Sequence, residues 1–369
     1  MQNRGKRILL LLPEVFGSAG GIQMFCRALC YGAGRWAQKN GAEVSALVLN
    51  DNAAPDARYV DGGFRSYITS GGSKAKFIKS YVQQSAAFNP DLVIVGHISL
   101  SPLSLISRRA KSCVIAYGIE AWRKLSQVEK RALERAERLL AISEYTRSEL
   151  CRLNSLPETK VDIFPCSLDP HWTAEELPAP ETASPPLLLT VSRLNQSDSY
   201  KGVDSVIECL PDVVDCVGPV DYRIVGGGDD MPRLRALAER LGIIDYVTFT
   251  GEVSDGQLRD LYKRCSLFVM PSEAEGFGIV FLEAMAYGKP IIGGAHAATP
   301  SVVEHEQTGL LVERKDVAAI AQSIIRILKD DDLRLRLGSA GRRRLVDRFT
   351  FESFESNLDH LLKVLSAES

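Results

Sequence analysis

Residues 267–286 read LFVMPSEAEGFGIVFLEAMA, and their pattern indicates the fold class. Its first four residues, Leu267–Met270, form a short apolar run that is typical of a buried strand. A turn containing Gly276 and Gly278 follows, and the apolar residues after it continue for long enough to form a helix. A buried strand, a glycine turn and a helix in this order predict one unit of a parallel α/β sheet.

Short apolar runs alternate with amphipathic stretches along most of the chain, in two groups. The strands predicted in the first group are Ile8–Leu12, Glu43–Leu49, Asp91–Val95, Cys113–Tyr117, Leu139–Ser143 and Lys160–Pro165. Those predicted in the second group are Leu187–Ser192, Tyr222–Val225, Val247–Thr250, Leu267–Met270 and Pro290–Gly293. The pattern predicts two Rossmann-like domains, with a ligand cleft between the carboxyl ends of their strands.

A proline-rich segment separates the two groups. Residues 177–186 read LPAPETASPP, with four prolines and neither a helical nor a strand pattern, so they are predicted to be a linker. The first domain is then 1–176 and the second is 187–349. The tail from Thr350 to Leu365 has the spacing of one more amphipathic helix.

Composition excludes several classes of protein. A chain of 369 residues suits two domains, and a formal charge of −2 provides no field that would attract nucleic acid. The eight cysteines form no CxxC pair and do not cluster with the five histidines, which disfavours a zinc site or a disulfide framework. Most cysteines should be buried apolar residues in a reducing, cytoplasmic compartment. The apolar run near the N-terminus is too short to cross a bilayer.

A glycine-rich loop, GSAGGI at residues 17–22, follows the first predicted strand. Paired glycines at the start of a helix allow backbone N–H groups to approach an anion, and the helix dipole adds positive potential. The spacing is not GxGxxG, so the dinucleotide fingerprint of dehydrogenases is absent. The alternative interpretation is a tight strand-to-helix turn without a ligand.

Two cations follow the first strand of the second group. Arg193 stands directly after Leu187–Ser192, and Lys201 with Gly202 begins the next helical pattern. A planar guanidinium fork and an ammonium point charge together suit a diphosphate. Surface cations are common, so two ordinary solvated charges are the alternative.

Two carboxylates lie in the segment 267–286. Glu275 lies in the glycine turn, and Glu283 lies about one and a half turns into the helix, among apolar neighbours. A carboxylate in such surroundings is costly unless it accepts hydrogen bonds, for instance from ribose hydroxyls. The alternative is a capping acid followed by a solvated helix glutamate.

Several segments of the chain, taken in their order along the sequence, resemble glycosyltransferase family 4, the retaining enzymes of the GT-B fold. The resemblance is carried by Arg193…Lys201-Gly202, YRIVGGG at 222–228, VTFTG at 247–251, Glu275-x₇-Glu283, PSVVE at 300–304 and TGLLV at 308–312. It is dense over about residues 187–315 and thinner in the N-terminal half. It implies a metal-independent hexosyltransferase with two facing domains, a deep interdomain cleft, and a C-terminal helix, 350–369, that packs back on the first domain.

The resemblance also implies roles for individual residues. Arg193 and Lys201 would bind the donor diphosphate and act on the leaving group, and Gly20 and Gly21 would complete the phosphate cradle from the first domain. Six residues separate Leu194 from Lys201, which is more than in many members, although some members share this longer spacing.

Further residues would hold the rest of the donor. Glu283 would bind the ribose, and the backbone around Gly251–Val253 would contact the base. Glu275, with the amides of Gly276, Phe277 and Gly278, would hold the transferred sugar.

Three residues of the first half complete the predicted site. His97, at the end of DLVIVGH, matches a histidine that reaches the sugar in this family, although a lone histidine after a strand is more often structural. Glu120 and Trp122, after the strand Cys113–Tyr117, either line the acceptor side or belong to an ordinary strand-to-helix turn.

The donor is predicted to be a UDP-sugar such as UDP-glucose, with GDP-mannose as the alternative, and the acceptor a glycan or a lipid-linked glycan in bacterial polysaccharide or glycoconjugate synthesis. No cofactor or divalent metal is expected, because no Asp-x-Asp follows an apolar strand of the second group. Asp229 and Asp230 are adjacent and are expected to cap a helix.

A weak peripheral membrane contact is a further hypothesis. The predicted helix region 123–138 carries six basic residues against three acids, and basic helices adhere to anionic lipid at the inner face of a membrane. A solvated helix face is the alternative.

Two other functions stay open at this stage. A nucleotide-sugar epimerase could use a similar scaffold, since fold does not determine function, and a non-catalytic homologue could retain the binding residues. Release of a free epimer without an acceptor would indicate the epimerase.

Overall fold

A computed structural model describes residues 5–107, 109–172 and 184–367 of the chain. The chain divides into two compact units, the first formed by Met1–Trp172 with Phe349–Ser369 and the second by Thr173–Arg348. Most of the predicted linker, residues 177–183, lies outside the described residues.

Each unit contains one parallel sheet. The strands of the first unit are β1 Arg7–Leu12, β2 Glu43–Val48, β3 Phe64–Thr69, β4 Leu92–Val95, β5 Lys111–Ala116, β6 Arg138–Ala141 and β7 Val161–Ile163. The strands of the second unit are β8 Leu187–Val191, β9 Asp221–Val225, β10 Val247–Gly251, β11 Leu267–Met270, β12 Ile291–Gly294 and β13 Leu310–Val312. The prediction of two parallel α/β domains is confirmed.

Helices connect the strands in both units. Those of the first unit are α1 Gly21–Asn40, α2 Lys74–Ala87, α3 Gln127–Arg135 and α4 Glu144–Asn154. Those of the second are α5 Val203–Val217, α6 Met231–Arg240, α7 Asp255–Arg264, α8 Ile279–Ala286, α9 Thr299–Val302, α10 Val317–Lys329 and α11 Asp331–Arg348. The last helix, α12 Phe351–Ala367, belongs to the first unit. Short 3₁₀ helices cover Ile98–Leu105, Glu158–Lys160, Gln196–Lys201 and Ile244–Tyr246.

The strand order gives each sheet one switch point. The first sheet runs β3-β2-β1-β4-β5-β6-β7, and the second runs β10-β9-β8-β11-β12-β13. The order reverses between β1 and β4 in the first sheet and between β8 and β11 in the second. The loops that leave the carboxyl ends of such neighbouring strands diverge and open a crevice, which is where ligands bind in α/β sheets.

Burial of apolar side chains explains the strands and their covering helices. In β1 every residue after Arg7 is buried, as expected for the centre of a sheet covered on both faces. The helix α1, which follows β1, buries the side chains of Phe25 and Trp36. Seven of the eight cysteines are buried and all are free thiols, which confirms their expected role as small apolar residues.

The C-terminal helix α12 packs against α1 within the first unit. The rings of Phe354 and Phe25 meet edge to face with centroids 5.3 Å apart. Gly32 lies so close to Leu358 that an added Cβ would stand 2.9 Å from its Cδ2. Arg35 Nε donates to Glu355 Oε1 at 2.6 Å on the exposed side of this contact.

Two strands were not predicted from the sequence. The edge strand β3, FRSYIT, is only partly buried and lacks the continuous apolar run of a central strand. The other, β13, has three residues, which is too short to give a periodic signal. The predicted strand Lys160–Pro165 shortens to Val161–Ile163 because a 3₁₀ turn occupies Glu158–Lys160.

One local prediction holds only in part and another is wrong. Asp230 is the N-cap residue of α6, as expected, but its side chain makes no capping hydrogen bond, and both its oxygens instead accept from Arg233 at 2.6 Å. Residues 123–138 do not form one basic helix, because α3 covers only Gln127–Arg135. In the part of the chain that the structure describes, no helix combines the length and apolar composition needed to cross a bilayer.

Candidate active site

Arg193 leaves the carboxyl end of β8, beside the switch point of the second sheet. Its side chain is 64% exposed, and Nη2 donates to Asp198 Oδ1 at 3.2 Å. Of the six residues that separate Leu194 from Lys201, Asn195 is the N-cap and the other five lie in the 3₁₀ helix Gln196–Lys201, so the longer spacing does not carry Lys201 away from the strand end. Asp198 was not predicted as part of the site.

Lys201 forms an ion pair with Glu275, although the two are far apart in sequence. Nζ of Lys201 donates to Glu275 Oε2, and both side chains are largely buried. The pair is brought together because Glu273 N donates to the carbonyl of Tyr200 at 2.9 Å, which ties the loop after β11 to the 3₁₀ helix after β8. A cation and a carboxylate therefore meet at the switch point.

Charge attraction keeps this ammonium protonated. Burial, the largest single cause, would lower the pKa of Lys201, but Glu275, Tyr200 and Asp198 together outweigh it, and the pKa lies above its ordinary value of 10.5. The ring of Tyr200 lies under the ammonium, with its centroid 5.2 Å from Nζ. Lys201 is thus a permanent positive charge that can bind an anion at neutral pH.

The glycines after Glu275 lead into α8. Gly278 adopts φ +90°, a conformation that favours glycine, and an added Cβ would stand 2.4 Å from the Phe281 ring. The carbonyl of Glu275 accepts from Ala298 N at 3.0 Å, which fixes the start of the turn. The side chain of Phe277 is 3% exposed and packs inward. Gly276, just before it, is half-buried.

Glu283 is a buried carboxylate on α8, with 4% of its surface exposed. Tyr262 Oη donates to its Oε2 at 2.7 Å, which provides one hydrogen bond of the kind that such a carboxylate requires. Burial, followed by the charge of Glu283, raises the pKa of Tyr262 well above its ordinary value. The binding of ribose by Glu283 stays a prediction, and Tyr262 is a partner that the sequence analysis did not identify.

The segment expected to contact a base begins at the end of β10. Gly251 has φ +69°, and its carbonyl accepts from Gly226 N at 2.9 Å, so the ends of β9 and β10 are joined. Val253 is half-buried, and Ser254 next to it starts α7 with a capping box. Glu252 lies between Gly251 and Val253, and its exposed side chain places a carboxylate at the end of β10.

In the first unit, the glycine loop leaves β1 at its switch point and enters α1. Gly20 is the N-cap of α1 and Gly21 is its first residue. The loop is held by Asp51, which is 1% exposed and accepts from the backbone N–H groups of Val15 and Gly17 at 3.0 and 3.1 Å. The sequence offered only an acidic residue shortly after a strand, so Asp51 was missed.

A second carboxylate lies in the same loop. Glu14 Oε2 accepts from Ser18 Oγ at 2.7 Å and also from Nε2 of Gln23, in the first turn of α1. Negative charge therefore lies beside the helix N-terminus that was predicted to hold a phosphate.

His97 follows β4, the other strand at this switch point. Ser99 N donates to Nδ1 at 3.1 Å, so Nδ1 is an acceptor and the neutral ring carries its proton on Nε2. Burial lowers the pKa of His97 below its ordinary 6.5, against the opposing charge of Glu120. The residue is therefore a neutral hydrogen-bond donor at pH 7.

Glu120 and Trp122 follow β5 in a turn that they help to close. Glu120 Oε1 accepts from the backbone N–H of Tyr117 at 2.5 Å. Trp122 Nε1 donates to Thr146 Oγ1 at 3.3 Å, and its ring meets Tyr145 edge to face with centroids 5.0 Å apart. These contacts are structural, and a role on the acceptor side stays a prediction for both residues.

Known proteins resemble this chain in sequence along both units. The family model for Glycosyltransferase Family 4 matches residues 19–172, and that for Glycosyl transferases group 1 matches residues 175–344. A GDP-mannose-dependent alpha-(1-6)-phosphatidylinositol monomannoside mannosyltransferase of Mycobacterium tuberculosis is 30% identical over 297 residues, which are 74% of this chain and 76% of that protein. An N-acetyl-alpha-D-glucosaminyl L-malate synthase of Bacillus anthracis is 32% identical over 159 residues, 43% and 41% of the two chains.

Solved structures share the fold. A sucrose-phosphate synthase from Thermosynechococcus elongatus superposes with a TM-score of 0.79 at 23% identity, covering 99% of this chain and 100% of that one. Anabaena HepE in complex with UDP gives a TM-score of 0.74 at 19% identity, covering 97% and 100%. The architecture is that of the GT-B glycosyltransferases. Sequence, fold and relatives agree, and the chain belongs to glycosyltransferase family 4.

Proposed function

We propose that this glycosyltransferase moves a hexose from a nucleoside-diphosphate sugar to a hydroxyl group of a glycan or lipid-linked acceptor, with retention at the anomeric carbon. The observation that carries the proposal is the Lys201–Glu275 pair beside the switch point of the second sheet, with Arg193 joined to the same cluster through Asp198 and Tyr200. Two cations suit the diphosphate, and a carboxylate beside them suits the hydroxyls of the attached sugar.

GDP-mannose is the first candidate donor, and the UDP-sugar favoured by the sequence analysis is the second. The relatives of Mycobacterium tuberculosis and Mycolicibacterium smegmatis are named as GDP-mannose-dependent mannosyltransferases. Glu252, between Gly251 and Val253, adds a physical argument, because a carboxylate can accept from the two adjacent donors of guanine but from only one donor of uracil.

A thermal-shift series tests the donor. GDP and GDP-mannose should raise the melting temperature more than UDP and UDP-glucose at equal concentration, because a ligand of the native state stabilises it by mass action. Glu252→Gln should narrow the difference between GDP and UDP. If only UDP and UDP-glucose raise the melting temperature, the donor is a UDP-sugar. If neither GDP nor UDP raises it, the protein does not bind a nucleotide sugar of either kind.

In the proposed reaction the bond between the anomeric carbon and the diphosphate breaks, and a bond to the acceptor oxygen forms on the same face. The proton of the acceptor hydroxyl passes to the leaving phosphate, whose growing charge Arg193 and Lys201 stabilise. A covalent intermediate would need a free carboxylate under the anomeric carbon. Glu275 is paired with Lys201, and Glu283 is buried against Tyr262, so neither is placed as a nucleophile.

Metal independence is part of the proposal. The positive groups for the diphosphate are Arg193, Lys201 and the backbone amides near Gly278, at the start of α8. Among the described residues, no three His, Cys, Asp or Glu side chains cluster as metal ligands. Activity should persist in EDTA, and a loss that added Mg²⁺ or Mn²⁺ restores would contradict this part.

The acceptor class rests on the relatives, whose names include phosphatidylinositol mannosides and inositol 3-phosphate. Participation in polysaccharide or glycoconjugate synthesis and a cytoplasmic location stay predictions. Peripheral membrane contact is also a prediction, and ion pairs within the basic segment 123–138 weaken it. Arg123 pairs with Glu129, and Lys130 lies 3.9 Å from Glu134.

One assay separates transfer from the two alternatives. The enzyme is incubated with isotopically labelled GDP-mannose or UDP-glucose, with and without a glycolipid extract, and the products are identified by NMR. A new α-linked glycoside that depends on the extract supports the proposal. A free epimer without acceptor indicates an epimerase, an inverted linkage contradicts retention, and binding without turnover indicates a non-catalytic homologue.

A further inference from the structure

Asp198 is a buried carboxylate that bonds to several residues of the predicted donor site. We infer that it is a positioning residue for Arg193, which it holds at the end of β8 in the orientation that meets the donor diphosphate. The inference rests on the proposed function, because it assigns Arg193 to that diphosphate.

The carboxylate is surrounded by donors. Asp198 is 7% exposed, and its Oδ1 accepts from Arg193 Nη2 at 3.2 Å and from Tyr200 Oη at 3.3 Å. Its Oδ2 accepts from Asn195 Nδ2 at 3.0 Å. Its own backbone N–H donates to the carbonyl of Asn195 at 2.8 Å, so the main chain fixes the residue as well.

Arg193 depends on this contact more than a buried arginine would. Its side chain is 64% exposed, and within the described ranges its bond to Asp198 is the one side-chain hydrogen bond that it makes. A long exposed side chain samples many rotamers, and ordering it during binding costs conformational entropy. Asp198 orders one edge of the guanidinium in advance and leaves the remaining N–H groups to face a ligand.

The same carboxylate links the two cations of the site. Tyr200, whose hydroxyl bonds to Asp198, places its ring under the ammonium of Lys201. Asp198 thus bonds to Arg193 directly and touches Lys201 only by way of the Tyr200 ring, while Lys201 is held by its own pair with Glu275, so the effect of Asp198 is expected through the arginine. Asn195, Asp198 and Tyr200 all belong to the six-residue segment that makes the Arg–Lys spacing long, so this segment supplies the support for the cations.

Asp198→Asn tests the inference, because it keeps the shape of the side chain and removes its charge. Asp221→Asn is the matched control, since Asp221 accepts from Arg223 at 2.9 Å at the amino end of β9, away from the switch point. We expect Asp198→Asn to lower kcat about tenfold to thirtyfold and to weaken GDP or UDP binding more than GMP or UMP binding. The control should stay within twofold of the wild type.

A double variant separates positioning from a general structural effect. Arg193→Ala/Asp198→Asn should be no slower than Arg193→Ala, because the carboxylate acts through the arginine. Methylguanidinium should restore part of the activity of Arg193→Ala and none to the double variant. If Asp198→Asn does not fold, Tyr200→Phe should still reduce the preference for diphosphate over monophosphate by twofold to fivefold.

Three results would overturn the inference: a wild-type rate in Asp198→Asn, an additive loss in the double variant, or equal rescue in both backgrounds. These outcomes are distinct from failure of the proposed function. In that case the wild-type enzyme itself would bind no nucleoside diphosphate and transfer no sugar.

Discussion

The two sheets place different chemistry at the same position in their topology. At the switch point of the first sheet, β1 and β4 lead to the Gly20–Gly21 loop and to His97, which is neutral. At that of the second sheet, β8 and β11 lead to Arg193 and to the Lys201–Glu275 pair. In each unit the parallel sheet therefore determines where a ligand can bind, and the residues after the strands determine which chemical groups can be bound there.

The carboxylates of the two switch points differ as well. Glu275 and Asp198 each pair with a cation of the second unit. In the first unit Asp51 accepts from backbone amides, and Glu14 accepts from Ser18 and Gln23. The second unit is thus suited to the diphosphate, and the first unit to neutral hydroxyl groups of a sugar or acceptor. Four substitutions test whether the two units differ in this way.

The largest effect is expected for Arg193→Ala. Loss of one donor to a developing charge costs about 2.7–4 kcal/mol in the barrier, so the transfer rate should fall at least about a hundredfold. The melting temperature should fall only modestly, because the Arg193 side chain is 64% exposed and the buried Asp198, which loses this donor, keeps its hydrogen bonds from Asn195 and Tyr200. Steady-state kinetics and circular dichroism are the measurements. Arg223→Ala, on β9, is the control and should retain activity. If Arg193→Ala is fully active, Arg193 does not bind the donor diphosphate.

Glu275→Gln should be nearly as damaging to the rate and should also lower stability. It leaves Lys201 without the charge that holds its pKa above 10.5, and an unpaired buried charge costs roughly 1–3 kcal/mol or more. Since the pair raises the folded pKa of a lysine, its stabilisation is present below about pH 10.5 and is lost as the pH rises through the raised pKa.

Thermal melts of wild type and Glu275→Gln between pH 7 and pH 11 measure this effect. The two curves should approach each other at the alkaline end. A constant difference across the series would show that the pair does not account for the loss of stability.

The position of these residues was predictable to different degrees. Arg193 and Glu275 follow apolar strands, so their place near a strand end follows from the one-dimensional pattern. Glu283 belongs to the apolar run after the glycine turn, so its place in the helix α8 was also predictable. The pairing of Lys201 with Glu275 was not predictable, because it depends on the contact between two loops. Asp51 and Tyr262 were missed for the same reason, since each acts through a partner that is distant in sequence. Asp198 lies only five residues from Arg193, and it was missed because the sequence does not show that the 3₁₀ helix turns its carboxylate toward that arginine.

The fold shows the same limit. Central strands such as β1 and β11 are recognisable because burial on both faces requires a continuous apolar run. The edge strand β3 has partly exposed positions and carries no such run. The basic stretch 123–138 looked like one helix by charge alone, but only Gln127–Arg135 is helical.

An intermediate effect is expected for His97→Gln, in the first unit. If His97 donates from Nε2 to the sugar, kcat should fall about tenfold while the affinity for GDP or UDP stays unchanged. Because burial lowers the folded pKa of His97 below 6.5, the wild-type rate should not fall until the pH is below that value. The same shift means that stability decreases as the pH falls below about 6.5.

Melting curves between pH 5 and pH 8 should show a weaker acid sensitivity in His97→Gln than in the wild type. A fall in nucleotide affinity equal to the fall in kcat would place His97 at the diphosphate instead, and the contrast between the two units would be lost.

The smallest effect is expected for Glu14→Gln, which removes the negative charge from the glycine loop. If a phosphate lies at Gly20 and Gly21, the Glu14 carboxylate repels it, and the substitution should strengthen the binding of GDP or UDP about twofold to fivefold at low salt. The gain should disappear in high salt, where exposed charges are screened. Titration calorimetry at two ionic strengths measures it. An unchanged affinity at low salt would indicate that the loop holds no phosphate, and that the diphosphate is bound by the second unit alone.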